Sequence, residues 1–254
     1  MDAEPRKDIL HVLQYGTLEI EGVLPWSSNY AFLVTACEDD VELRAVYKPR
    51  RGERPLWDFP RGTLSLRERA AFVVSEFLGW NLVPPTVLRE GQHGPGSVQL
   101  FIAHDPSQHY FALEGDPLFR YALQKMALMD HVINNADRKG GHVIIEQPPE
   151  DDRAPLPTSD HLWGIDHGIC FHSEYKLRTV IWEFAGEAIP KQLLAELGQF
   201  YRMLADENSE LRLNLAPLLS DEEILAMQER TAALLSEQQF PLPGPGRHYP
   251  WPPI

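Results

Sequence analysis

Two acidic motifs in this chain have the residue types for chemistry. Asp137-Arg138 lies in a polar loop, and Asp166-His167-Gly168 directly follows the apolar Leu162-Trp163-Gly164-Ile165. Phosphoryl transfer needs one carboxylate beside an attacking hydroxyl and another that holds a divalent cation against nucleotide phosphates. A loop aspartate followed by a strand-end Asp-x-Gly supplies both. Loop Asn and Asp also cap turns by bonding nearby backbone, so Asn135, Asp137 and Asp166 equally suit a purely structural use.

Other chemistries find less support. His131, His142, His161, His167 and His172 show neither the helical HExxH spacing nor a Cys/His finger pattern. No G-x-S-x-G elbow occurs. Cys37 and Cys170 offer no metal spacing or disulfide framework, and Cys170, in the apolar run Gly168 to Phe171, reads as a buried thiol. The formal net charge of −14 argues against nucleic acid as a partner and weakens docking on an anionic membrane. A local basic patch, Lys48-Pro49-Arg50-Arg51-Gly52-Glu53-Arg54, stands against that background. No apolar run reaches the ~18–20 residues of an integral membrane segment, and the first residues lack the apolar core of a signal peptide. A cytoplasmic location is expected.

The elements that must position these residues read as an α+β arrangement. Strands are expected over Val12–Val23, Tyr30–Thr35 and Glu42–Lys48, then a helix over Leu64–Leu78 with Leu66, Ala70, Val73 and Phe77 on one face. Thr86–Leu88 and Val98–Ile102 add two strands. The second half is mainly helical. Asp116 as N-cap with Pro117 at the first helical position opens a helix over Leu118–Val132. The Asn134–Gly141 loop, a strand from His142 to Ile145, an exposed loop over Gln147–Asp160 and a strand and turn at Trp163–Gly168 follow. Helices are expected at Lys191–Ala205 and Asp221–Leu235, the latter opened by a Ser220/Glu223 capping box. The proline-rich stretch Pro241–Ile254 reads as unpacked or pinned to the surface. This gives an antiparallel-sheet N-lobe over 8–103, a helical C-lobe over 104–240 and a tail over 241–254.

Asp130-His131-Val132-Ile133-Asn134-Asn135-Ala136-Asp137-Arg138 resembles the catalytic loop of type II phosphatidylinositol 4-kinases, a pattern that recurs in other atypical kinases of the phosphatidylinositol 3-/4-kinase-like type. Ile165-Asp166-His167-Gly168-Ile169-Cys170-Phe171 is similar to that family's metal-binding segment, Ser97 to Ile102 to its hinge strand, and Val46-Tyr47-Lys48-Pro49 to its lysine-bearing strand. Leu66 to Phe72, with Leu78-Gly79 and Val83-Pro84, is similar to its N-lobe helix and exit. The segments occur in the family's order from about Gly22 to Phe184.

The resemblance implies a protein-kinase-like fold and an ATP-dependent phosphotransferase. Adenine would meet Gln99, Leu100, Phe101 and Ile102, and Lys48 would pair with the α/β-phosphates. Ser27, Ser28 and Asn29 would cover the nucleotide without a GxGxxG motif. Asp137 would position the acceptor hydroxyl and accept its proton, and Asp166 would hold Mg²⁺. Glu68 would orient Lys48, although Ser65-x-x-Glu68 also fits a capping box. His142 stands where the family has an asparagine metal ligand. Imidazole suits Mn²⁺ better than Mg²⁺, and as a ligand His142 would make activity fall as pH drops through ~6.5. The acceptor hydroxyl could belong to a protein, a phosphoinositide or a small molecule. The alternative reading is a nucleotide-binding pseudokinase acting as a regulatory module.

Overall fold

A computed structural model describes residues 3–24, 30–147 and 161–254. The chain starts with a helix where a strand was expected: α1 spans Ala3–Tyr15, and β1 begins only at Thr17 and runs to Val23. Ile9, Val12 and Leu13 sit at helical spacing and pack onto the sheet. Gly16 makes the junction, donating its N–H to Val12 O at 2.9 Å. A Cβ there would lie 2.7 Å from Val12 O and 2.8 Å from Cys37 O, so the tight turn requires glycine.

Strands β2 (Phe32–Glu38) and β3 (Val41–Pro49) follow, then α2 (Leu64–Phe77), β4 (Thr86–Gly91) and β5 (Gly94–Leu100). The five strands form one antiparallel sheet in the order β1-β2-β3-β5-β4. Because strand side chains alternate, Ala45 and Tyr47 of β3 join Val34, Ala36, Val98 and the α1 face in one buried cluster. Val46 and Lys48 therefore point the other way, into the cleft. Helix α2 is buried on nearly all sides, with Ala70, Ala71, Phe72, Val73 and Val74 in the main core, and it packs against β4 and β5.

The second half is mainly helical: α3 (Tyr110–Leu113), α4 (Arg120–Ile133), α5 (Lys191–Ala205), α6 (Glu210–Leu215) and α7 (Asp221–Glu237). Among the described residues, the small β6 (Val143–Ile145) and β7 (Leu162–Gly164) interrupt it. The expected start of α4 is corrected. Asp116 Oδ1 accepts from Leu118 N at 2.9 Å, so Asp116-Pro117 forms a turn ahead of the helix. His142 ends a 3-10 turn over Gly140–His142 and does not open the strand. The Ser220/Glu223 capping box forms, with Ser220 Oγ accepting from Glu223 N and Glu223 Oε2 accepting from Ser220 N. The lobes meet at a third apolar cluster, Ile102, Ile144 and Trp163 with Leu100 and Ile165.

The proline-rich tail is pinned. Phe240 is buried against Phe184, His248 O accepts from Thr179 N and Trp182 Nε1 (both 3.1 Å), and Pro253 O accepts from Gly140 N at 2.7 Å. No helix among the described residues is long and apolar enough to cross a membrane.

Candidate active site

The Asp137 loop hangs from a fully buried ion pair. Asp130, in the last turn of α4, accepts from Arg138 Nε at 3.1 Å and from Arg138 Nη2 at 3.0 Å. It also accepts from Asn135 Nδ2 (3.0 Å) and Thr179 Oγ1 (3.2 Å). Asn134 ends α4 in the left-handed region at φ 52°, which asparagine tolerates, and it turns the chain outward. Asn135 Oδ1 then accepts from Asp137 N at 3.0 Å and sets the backbone that carries the aspartate.

The remaining guanidinium hydrogens reach the second motif. Arg138 Nη1 donates to His142 O (3.2 Å) and Ile165 O (3.1 Å), and Nη2 donates to His167 Nε2 at 2.6 Å. A guanidinium only donates, so His167 accepts through Nε2 and is neutral; burial pushes its pKa well below the usual value. A Cβ at Gly164 would stand 3.1 Å from Arg138 Nη2, so glycine keeps that approach open.

The candidate side chains converge above this framework. Lys48 Nζ donates to Glu68 Oε1 at 2.5 Å and to Asp166 Oδ1 at 2.9 Å. Glu68 Oε2 accepts from His167 N at 3.0 Å, so one α2 carboxylate fixes both the lysine and the Asp166 segment. This resolves the two uses of Glu68 in favour of the ion pair, and Glu53 Oε1 accepts from Ser65 N instead, at 3.0 Å. Asp166 adopts φ 61°, an uncommon backbone for a residue other than glycine, and its carboxylate is 49% exposed to the cleft. Asp166 Oδ2 faces His142 Nε2 at 3.4 Å. Asp137 lines the same cavity as Lys48, Glu68 and Asp166, and Lys139 Nζ stands 3.4 Å from Asp137 Oδ2.

These surroundings set the charges. Burial disfavours the Lys48 ammonium, but Asp166 and Glu68 outweigh it and raise the pKa. The Lys48 charge in turn holds Asp166 far below the carboxylate range. Burial raises Asp137 to about 6 and lowers His142 to about 4. The expected acid limb near 6.5 from His142 is therefore corrected, because the ring stays neutral well below that pH.

Next to this centre lies a cleft of about 1070 Å³, open to solvent. Leu24, Ala31 and Val46 roof it, Ile144 and Ile165 form its floor, and residues 99–102 line its back. Gln99 lines the cleft on the same sheet face as Val46, and its amide donates to Thr86 Oγ1 at 2.8 Å. Ile102 joins the interlobe cluster. Phe101 N bonds Arg44 O, and the Phe101 ring lies under the Arg44 guanidinium. Ser27, Ser28 and Asn29 lie outside the described residues.

The donors present suit a divalent cation. Asp166 offers an ionised carboxylate open to the cleft, and His142 a neutral imidazole beside it. Among the described residues no three His, Cys, Asp or Glu side chains gather as a closed metal site. An ion here would complete its shell with phosphate oxygens and water, the usual arrangement for Mg²⁺.

Sequence reasoning missed the positioning residues. Asp130 and Arg138 pair across the loop, and Arg67, fully buried, donates to Cys170 O at 2.7 Å and pairs with Glu223. One signal for Asp130 was available: an acid at i+3 from Ala127 and i−3 from Ile133, on the buried face of α4.

Comparison with known proteins agrees with this architecture. The phosphatidylinositol 3- and 4-kinase family model matches residues 88–210. Protein Rv2133c of Mycobacterium tuberculosis is 37% identical over 97% of this chain and 96% of its own length. Phosphatidylinositol 4-kinase gamma 4 of Oryza sativa subsp. japonica is 29% identical over 50% of this chain and 24% of that protein. The crystal structure of the Golgi casein kinase with Mn/ADP bound superposes with a TM-score of 0.61 at 17% identity, covering 93% of this chain and 76% of that one; this is a likeness of fold. With 37% identity along nearly its whole length, the chain belongs to one family with Rv2133c, and over residues 88–210, which include both acidic loops, it carries a phosphatidylinositol 3-/4-kinase-like domain.

Proposed function

We propose that this chain is an ATP-dependent phosphotransferase that moves the γ-phosphoryl group to a hydroxyl. The observation that carries this reading is the convergence of Lys48, Glu68, Asp166 and Asp137 on one cavity beside an apolar cleft. The N-lobe would comprise residues 8–103 and the C-lobe 104–240, in a cytoplasmic protein. Adenine would lie between Val46 and Ile144, with residues 99–102 at its edge.

Lys48, kept charged by its two carboxylates, meets the α/β-phosphates. Asp137, set by Asn135, orients the acceptor hydroxyl and takes its proton. Its pKa near 6 leaves it ionised at neutral pH yet more basic than an ordinary aspartate. Asp166, with His142 beside it, would hold Mg²⁺ or Mn²⁺, whose chemistry is to neutralise charge on the phosphates. Most of the rate enhancement would come from positioning and charge.

A second reading, a nucleotide-binding pseudokinase, draws on His142 in place of an asparagine at the carboxylate of Asp166. One experiment separates the two. Thermal shift with ATP and Mg²⁺ or Mn²⁺ tests binding, and phosphate transfer or release tests turnover. Binding with turnover supports the transferase, binding without turnover supports the pseudokinase, and no nucleotide binding overturns both.

A further inference from the structure

The basic run after Lys48 is absorbed neither by the sheet nor by the reaction centre. It forms the connection from β3 to α2, and there Arg50, Arg54 and Arg61 line a solvent-open pocket of about 440 Å³ with Phe59, Pro60 and Leu64. All three arginines are exposed, on a chain whose net charge is −14. Arg50 and Arg61 make no ion pair or side-chain hydrogen bond among the described residues. Solvated surface arginines are common, but here the backbone is shaped around one of them. Gly62 adopts φ +74°, and a Cβ on it would come within 3.0 Å of Arg50 Cδ, so glycine lets the Arg50 stem lie across the pocket rim.

This pocket adjoins the reaction centre. Glu53 and Leu64 line both it and the cavity that holds Lys48, Asp137 and Asp166. Glu53 and Asp58 lie nearby, and the three arginines of the pocket outnumber them. Glu53 accepts from Ser65 N through Oε1, while its buried Oε2 has no hydrogen-bond partner among the described residues, and Asp58 pairs with Lys176 at 3.0 Å. The Arg50 and Arg61 guanidinium groups, which pair with no carboxylate among the described residues, can recognise an anion through paired charge-assisted hydrogen bonds.

We propose that this arginine pocket binds an acidic side chain of a protein acceptor, and so selects hydroxyls embedded in acidic sequence. The inference rests on the phosphotransferase reading and names its substrate class. A chain segment fits better than a small molecule because the acceptor must span the wall of Glu53 and Leu64 between its hydroxyl and its anionic group. Trp57, 92% exposed on the same loop, offers that segment an apolar face. A flat anionic membrane fits less well, because the guanidinium groups surround a concavity and the rest of the chain is strongly acidic.

The test is fluorescence anisotropy with a labelled peptide carrying one serine flanked by glutamates, and with its Glu→Gln counterpart. Wild type should bind the acidic peptide at least tenfold more tightly than the neutral one. The double variant Arg50→Gln/Arg61→Gln should lose that preference while keeping its thermal midpoint, and Arg247→Gln, exposed and outside the pocket lining, should retain it. Equal binding of both peptides, no binding by wild type, or an undiminished preference in the double variant overturns the proposal. So does capture of phosphatidylserine vesicles, or of inorganic phosphate, without peptide preference. The binding readout does not depend on catalysis. Peptide preference without phosphate transfer would therefore sink the transferase reading alone, and transfer to either peptide at equal efficiency would sink only the acidic-acceptor proposal.

Discussion

Asp130–Arg138 and Asp166–Lys48 are both aspartate–cation pairs at hydrogen-bond distance, 3.0 and 2.9 Å, yet the protein uses them in opposite ways. The side chains of the first pair are 0% and 1% exposed, and carboxylate and guanidinium are both filled by partners within the loop system. In the second pair Asp166 is 49% exposed and one of its oxygens faces the cleft beside His142. A satisfied buried pair has no capacity left for a ligand, so its work is to hold backbone. An open pair can exchange partners, and on the proposed reading it meets what enters the cleft. The same kind of ion pair therefore separates into a closed support and an open, exchangeable pair according to solvent access.

That division can be broken from either side. Arg138→Ala leaves Asp130 buried and unpaired, which should cost about 3–5 kcal/mol and collapse both acidic loops together. The thermal midpoint without any nucleotide should fall by roughly 10 °C. A midpoint near wild type would mean that the buried pair is not what carries the loops. Asp166→Asn should do the reverse. Its unliganded midpoint should stay close to wild type, because half-exposed pairs contribute little, while the metal-dependent part of nucleotide binding disappears. Retained Mg²⁺·ATP binding would remove Asp166 from the metal assignment. Lys48→Met should lower nucleotide affinity or turnover about 100-fold, against no change for Lys191→Met at the exposed start of α5. Equal small effects would make Lys48 an ordinary surface lysine.

The open pair was much easier to read in the sequence than the buried one. Lys48 on a β-prone run, and Asp166 after four apolar residues, carry their roles in local pattern. Arg138 directly follows Asp137 and reads as another polar loop residue, because its partners Asp130, His167 and the carbonyls of His142 and Ile165 come together only when two loops meet. Glu68 satisfied two local rules, and only the approach of β3 to α2 chose between them. The first helix was hidden for a different reason. Val12, Leu18 and Ile20 give a rough alternation across Gly16, which masks the change of period at that turn. The short α6, capped by Ser209 accepting from Arg212 N, is too brief for its periodicity to show.

The charge state of Asp137 gives a smaller effect. A proton acceptor must be ionised, and burial raises this carboxylate to about 6. Turnover should be full above that pH and fall about tenfold per unit below it, with nucleotide binding much less affected. A profile flat down to about 4 would remove Asp137 from the proton path.

The smallest expected effect concerns His142, and it distinguishes a ligand from a bystander within the open region. Its Nε2 lies 3.4 Å from Asp166 Oδ2, and burial keeps the ring neutral down to about 4, so it can act as a nitrogen donor throughout the working range. Imidazole favours Mn²⁺ over Mg²⁺, whereas an amide oxygen suits the harder ion. His142→Asn should therefore lower the ratio of Mn²⁺- to Mg²⁺-supported turnover several-fold, and the same shift should appear in thermal stabilisation by ADP with each metal. Both proteins should keep the acid limb near 6, because that limb belongs to Asp137 and not to the histidine. Unchanged metal ratios in both measurements would leave His142 as the last residue of a 3-10 turn, held by its carbonyl to Arg138 and Ile165 N, with Asp166 the one side chain that meets the ion.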